Sequence, residues 1–411
     1  MKDGNELYDL LIKGGTVIDP MRGIHDKRDV GIKDGKIAAV EKSIVGSQAR
    51  EVLPANGKLL MPGLIDSHCH PAGDLVRRIG LPPDTIGLDS GVTLVCDCGS
   101  VGSANFDAMR RFIIEPSRTD TFCFLNLATT GAIKVPEIWD EHDISPELTK
   151  QVAEENPDLI KGIKIRVIQA LTEGIGIKAV EIAKKLATDL KLPLMMHIGE
   201  GSRERVTHDI MDDFTRAAVK FMEKGDILSH FMTPFPGGLI MANGTVYPEL
   251  WEAQNNGVIL DPCPGLNNFS FTIAKQALQQ GLLPNVISSD LAMPPAQSLL
   301  VIMSEFLHLG MTIEQVVEMT TINAAKVLGE EAQRGSLKPG VPANISIVEI
   351  VKGDYIFSDG NGQTIHGELL LEPRLVLKAG VEMPCKSCYH LPPAIPPLSH
   401  QLVAHHSGLV A

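Results

Sequence analysis

Two histidines one residue apart close an apolar run: LLMPGLIDSHCHP, residues 59–71, carries His68, Cys69 and His70 near its end. A strand sends residues i and i+2 to the same face, so both imidazoles project together from a strand end. Neutral imidazoles converging in this way suit a divalent metal. Further polar residues end later apolar runs. Lys164 and Arg166 share one face of GIKIRV, His197 ends LPLMMH, His230 ends ILSH, and Asp290 ends VISSD. Lys164, His197 and His230 follow one another at intervals of 33 residues, Asp290 comes 60 later, and His70 precedes Lys164 by 94. Each alone has a plainer reading. A histidine in an apolar strand is usually a hydrogen-bonded core residue, Asp290 suits a helix N-cap, and Lys164 suits a strand-end lysine reaching for water. The shared interval favours convergence on one site.

The elements that must position these residues are strands and helices in alternation. Between residues 61 and 335, buried-strand segments such as LPLMMHI, KGDILSHFM and NNGVILDPC are separated by helical patterns. In GIKAVEIAKKLATDLK, for example, Ile177, Val180, Ala183, Leu186, Ala187 and Leu190 fall on one helical face. Such alternation over some 270 residues implies parallel β/α units. The fold class is therefore α/β: a (β/α)8 (TIM) barrel, whose active site lies at the C-terminal strand ends. Periodicity alone also allows a doubly wound open sheet, although no glycine-rich phosphate loop supports one. Residues 1–60 read as short strands, with Gly14-Gly15, Asp34-Gly35 and Asn56-Gly57 as turn signals. A similar texture returns over 336–390. Both ends are expected to build one small β-sandwich beside the barrel, followed by an extended or disordered proline-rich tail over 391–411.

Composition narrows the function classes. The chain has 411 residues, 44% hydrophobic and 21% charged, which suits a well-cored protein. A formal charge of −13 argues against nucleic acid as a partner. The N-terminus shows no signal-peptide pattern, and no apolar stretch reaches membrane-spanning length, so a cytoplasmic protein without a membrane partner is expected. Seven cysteines, thinly spread, do not read as a disulfide framework. Cys69, Cys96 and Cys98 read as small buried residues, and the C-x-x-C at 385–388, with His390, as fortuitous.

His68-Cys69-His70, Lys164, His197, His230 and Asp290 resemble the ligand set of the amidohydrolase superfamily. MPGLIDSHCHP is similar to its first-strand signature, and TTINAAKVLGEEAQRGSLKPGVPANISI to its return from barrel to sandwich. GIKIR, NFSF and ISSDL point to the dihydroorotase-like amidohydrolase/deacetylase subgroup. The resemblance implies two divalent metal ions, zinc in the first instance. His68, His70 and Asp290 would hold the more buried ion, His197 and His230 the second, and a carbamylated Lys164 would bridge them. It also implies attack by a metal-bridging hydroxide on a carbonyl, with Asp290 as the catalytic proton carrier. One departure stands out: Asp261-Pro262-Cys263-Pro264-Gly265 occupies the place of the subgroup's common Gly-His-Gly run. Another, Ala343-Asn344 for Ala-Asp, falls in the sandwich.

The substrate implied is a small carboxylic acid carrying an N-acyl or O-acyl group. Arg166 is a candidate carboxylate clamp, because its planar fork suits bidentate contact, with a structural ion pair as the alternative. Asn126 and Thr130 in FLNLATTGA are further candidates for substrate contact. The Gly/Pro-rich segment after His230 is long enough for a lid. A cyclic amidase of the dihydroorotase or hydantoinase kind would use the same metals. A purine deaminase and a metal-free binding protein are the remaining alternatives. Homo-oligomerisation stays open, since a proline-rich tail could exchange between subunits.

Overall fold

The computed structural model describes residues 7–76, 79–199, 207–294 and 296–386. Cys388, His390 and the tail over 391–411 lie outside the described residues.

Among the described residues the first five strands are β1 (Tyr8–Asp19), β2 (Ile24–Lys33), β3 (Lys36–Glu41), β4 (Ala49–Pro54) and β5 (Leu59–Pro62). Seven follow in the middle: β6 (Leu64–Cys69), β7 (Val92–Gly102), β8 (Asp120–Asn126), β9 (Ile160–Arg166), β10 (Leu194–His197), β11 (Ile227–Ser229) and β12 (Ile259–Asp261). The last three are β13 (Ile345–Ser358), β14 (Thr364–Lys378) and β15 (Val381–Pro384).

Among the described residues, strands from the first and last parts of the chain join in one eight-stranded sheet of order β15-β14-β13-β5-β1-β2-β3, with β4 added beside β1. The Gly14-Gly15 pair is not a turn, contrary to the sequence expectation: it lies inside β1, where the pairing with β2 shifts register between Ile12 and Gly15. The pair is a bulge because its neighbours leave no room for side chains. A Cβ on Gly15 would come within 2.7 Å of the Leu60 side chain, and Gly14 has φ +78. Beyond an inserted residue the alternation of faces reverses. Leu10 and Ile12 thus reach the same apolar core as Val17, together with Leu60, Ile345, Ile347 and Leu377. Asp34-Gly35, by contrast, is a hairpin turn between β2 and β3, both residues having positive φ.

Asp29 ties down the bulge. Its buried carboxylate accepts the Gly14 N–H at 2.8 Å, the Ile44 N–H at 2.8 Å and the Lys13 ammonium at 2.9 Å. Burial opposes ionisation here, but the Ile44 N–H, Lys13 and the Gly14 N–H outweigh it and hold the carboxyl below its ordinary range. Asp29→Asn should cost about 3 kcal/mol, since it leaves a buried donor without its acceptor and weakens the lysine contact. A carboxyl depressed in the folded state stabilises above its unfolded pKa, about 3.9, and the benefit is lost as pH falls through the lower folded value. Urea unfolding of the two proteins should therefore differ at pH 7 and converge in strong acid. An unchanged midpoint at pH 7 would refute this role.

The middle strands form a parallel sheet of order β12-β11-β10-β9-β8-β7-β6. Helices recur between successive strands, among them Lys178–Leu190, His208–Val219 and Pro248–Asn255, and Phe271–Gln279 follows β12. The first buries Ala179, Val180, Ala183, Leu186 and Ala187, with Leu190 partly buried at its end, and stops where Lys191 turns to φ +56. The segment 285–291 joins the two sheet edges without being a regular strand. At one side the Asn285 and Val286 N–H groups donate to the Leu260 carbonyl. At the other, the Asp290 N–H donates to the His68 carbonyl at 2.7 Å and the His70 N–H to the Leu291 carbonyl at 3.0 Å. The sheet is curled onto itself through this segment. Among the described residues, no helix is long and apolar enough to cross a membrane.

Candidate metal centre

Curling brings the C-terminal strand ends to one place. His68 lies in β6 and His70 just past it, Lys164 is in β9, His197 ends β10, and His230 follows β11. Lys164 is 2% exposed, so its amine does not reach for bulk water. Its Nζ lies 3.1 Å from His68 Nε2. Room for its stem comes from Gly99, at φ +93, where an added Cβ would stand 2.8 Å from Lys164 Cγ.

Asp290 is not a helix cap. It sits in the irregular segment at φ +52, a conformation aspartate tolerates better than most residues. Its Oδ1 lies 3.0 Å from His70 Nε2 and 3.9 Å from His68 Nε2, while His70 Nδ1 meets Ser100 Oγ at 2.7 Å. His230, at φ +68, donates from Nδ1 to the Cys263 carbonyl at 2.7 Å, which leaves the Nε2 lone pair free to ligate. That Nε2 is buried and has no hydrogen-bond partner among the described residues. The His197 and His230 rings lie with centroids 4.1 Å apart, and His197 Nε2 is 3.3 Å from Asn268 Nδ2.

Potential donor atoms of His68, His70 and Asp290 all lie within 4.8 Å of one another, and so do those of His68, His230 and Cys263. Burial keeps three of these imidazoles neutral: it drives His68 and His197 well below the ordinary imidazole range and His230 to about 3. Burial also lowers Lys164, favouring the neutral amine. For Asp290, burial pushes upward, but the hydrogen bond from His70 and the interactions with His70, His230 and Lys164 outweigh it and hold the carboxyl below its ordinary range. Several neutral nitrogens, an orphaned buried lone pair and one ionised carboxylate fit a divalent cation centre.

Four residues that sequence reasoning passed over hold this arrangement. Asp261, at the end of β12, faces His68 Nδ1 at 3.5 Å and receives the Ser288 hydroxyl, 2.8 and 2.7 Å from its two oxygens. Asp66 accepts the Ser289 N–H at 3.0 Å and pairs with its hydroxyl. The two serines before Asp290 thus pin its segment to strands on either side. Their only sequence signal was the SS pair itself, and their partners are 27 and 223 residues away.

The three candidates for substrate contact fare differently. Arg166, partly exposed beside the centre, donates from Nη1 to Glu137 at 2.7 Å. Asn126 turns to the backbone, donating to the Gly99 carbonyl and accepting the Ala128 N–H, each at 2.9 Å. These two bonds brace the strand end. Thr130 opens the turn Gly131–Ile133, and its carbonyl accepts from Asn105 at 3.1 Å. The segment after His230, expected as a lid, is anchored: Phe231, Met232, Leu239 and Ile240 are buried in the main core. Cys69, between the two histidines, donates its thiol toward the Cys96 carbonyl, away from the centre.

The pattern of the amidohydrolase family matches residues 59–367. The chain belongs to the amidohydrolase family. This amidohydrolase is 33% identical over 382 residues to a protein from Agrobacterium fabrum named a deacetylase, covering 91% of this chain and 89% of that one. Its structure superimposes on a crystal structure titled as an adenine deaminase with a TM-score of 0.79 at 28% identity, covering 92% of this chain and 100% of the other. A crystal structure titled as a dihydroorotase gives 0.78 at 29% identity, with 92% and 98% covered. Three relatives carry the names of three reactions, so the amidohydrolase scaffold does not by itself select a substrate.

Proposed function

We propose that this amidohydrolase is a two-metal hydrolase that removes an N-acyl or O-acyl group from a small carboxylic acid. The observation carrying the reading is the Asp290 carboxylate, ionised and partly exposed, set against the buried His68, His197, His230 and Lys164. In this reading the parallel sheet is a (β/α)8 barrel over about 61–335, and 1–60 with 336–390 form a sandwich beside it. His68, His70 and Asp290 hold one ion and His197 and His230 the other, zinc at both. When bound, the pair supplies a more acidic water and an electrophile for the carbonyl oxygen.

The chain supplies the rest. The buried Lys164 amine, lowered toward neutrality, adds carbon dioxide to form an Nζ–C bond and loses a proton, giving a two-oxygen anion where an ammonium would repel cations. Asp290 accepts a proton from the attacking water at its carboxylate and hands it to the leaving nitrogen or oxygen. Ser100, 2.7 Å from His70 Nδ1, fixes the ring so that Nε2, 3.0 Å from the Asp290 carboxylate, faces the ion the two residues would share. Arg166, aligned by Glu137, receives the substrate carboxylate. The 33% identity to a deacetylase-named relative, against 29% to the dihydroorotase-titled structure at like coverage, supports acyl transfer to water as the first reading, with the cyclic amide as the alternative.

The test is release of acetate from a panel of N-acetyl and O-acetyl acids, with dihydroorotate, hydantoin and adenine run in parallel. Acetate release is expected, and Arg166→Met should raise KM for carboxylate substrates about tenfold or more with a smaller change in kcat. Ring opening of dihydroorotate or hydantoin without acetate release would replace this reading with the cyclic amidase.

A further inference from the structure

Cys263 sits in the run Asp261-Pro262-Cys263-Pro264-Gly265, fully buried and held at φ +41. A left-handed conformation is costly for a residue other than glycine and persists where its surroundings impose it. Here the next residue is proline, and the backbone carbonyl of Cys263 receives the His230 Nδ1–H at 2.7 Å. That bond directs the other ring nitrogen, Nε2, to a buried place where it has no partner among the described residues. The Cys263 sulfur, one nitrogen of His68 and one of His230 lie mutually within 4.8 Å, all three residues being buried. Donors around a tetrahedral zinc, with bonds of about 2.0 Å to nitrogen and 2.3 Å to sulfur, stand about 3.5 Å apart. Closing from one spacing to the other takes small side-chain movements.

We propose that Cys263 is a thiolate ligand of the ion held by His230, making the centre a mixed nitrogen, oxygen and sulfur site. This inference rests on the two-metal reading above and deepens it. Binding forms a metal–sulfur bond and releases the thiol proton to solvent, with no change in oxidation state. A soft sulfur donor selects thiophilic cations of the zinc, cobalt and cadmium kind over manganese or magnesium. One residue then does two things at once: its carbonyl fixes the His230 tautomer, and its side chain joins His230 on the metal.

The experiment is titration of the metal-free protein with cobalt(II), followed by its near-ultraviolet sulfur-to-cobalt absorption, and X-ray absorption at the zinc edge of the zinc form. A sulfur neighbour at about 2.3 Å from zinc is expected. In Cys263→Ser the absorption band and the sulfur neighbour should vanish, and one of two metal sites should weaken at least about tenfold. Cys69→Ser should retain both signals. Cys263→His, which keeps a ligand but no sulfur, should recover affinity without the band, so that lost affinity in the serine variant is not mistaken for misfolding. A protein that binds two ions with no sulfur signal, or whose signal survives Cys263→Ser, would overturn the proposal and leave the two-metal reading standing. Failure of the native protein to bind any ion would overturn both.

Discussion

Asp290→Asn is expected to lower kcat by about 10³- to 10⁴-fold while leaving the fold and much of the bound metal in place. The magnitude is that of a lost proton carrier. An amide can still approach His70 and occupy a ligand position through its oxygen, but it cannot accept a proton from water. The fold should tolerate the change because asparagine, like aspartate, adopts left-handed backbone readily, and φ at Asp290 is +52. The Asp290 N–H bond to the His68 carbonyl at 2.7 Å is untouched. The cavity around the carboxylate is shaped to its atoms: a Cβ on Gly265 would stand 2.3 Å from Asp290 Oδ2. Turnover measured alongside metal content by plasma emission checks this. Near-normal rates in a fully metallated variant would remove Asp290 from the chemistry.

Lys164→Ala is expected to be as damaging, for a different reason. With the amine gone no carbamate can form, and the two ions would lose the anion proposed to bridge them. Metal affinity should fall by at least about 100-fold, and activity with it. The variant should fold, because a buried amine whose ionised form is disfavoured is replaced by a smaller apolar group. Truncation leaves a void between Gly99 and His68, both of which border the Lys164 side chain. A small carboxylate such as acetate or propionate could enter it and supply two oxygens. Restoration of part of the activity by such acids, and not by a neutral amide of equal size, is the decisive result. An alanine variant that keeps full metal content and turnover would exclude the bridging role.

The strand-end positions of the candidate donors were legible in the chain because a parallel β/α repeat converts sequence interval into spatial position. His68, Lys164, His197 and His230 sit at strand ends, and strand ends of such a repeat meet. Helical spacing in 177–190 was equally plain, since a helix records its buried face within a few turns. Local signals failed where a neighbour distant in sequence decided the outcome. Gly14-Gly15 carries the composition of a turn, yet Leu60 and Asn56 crowd against it and make it a bulge within one strand. Asn126 offered a polar side chain at the right strand end, and the chain gave no sign of its bonds to Gly99 and Ala128.

What the amino-acid order determined alone was the repeat, the donor types and their order around the site. Tertiary structure decided which of those donors have partners already. Asp66 and Asp261 look like ordinary strand residues until the curled sheet sets them against Ser289 and Ser288. Cys263 looks like an intrusion in a proline-rich turn until closure of the sheet places its sulfur near His68, 195 positions away in number, and His230. Contacts across such separations cost chain entropy that no local pattern encodes, and only the packed core, by excluding water from all of them together, makes them hold.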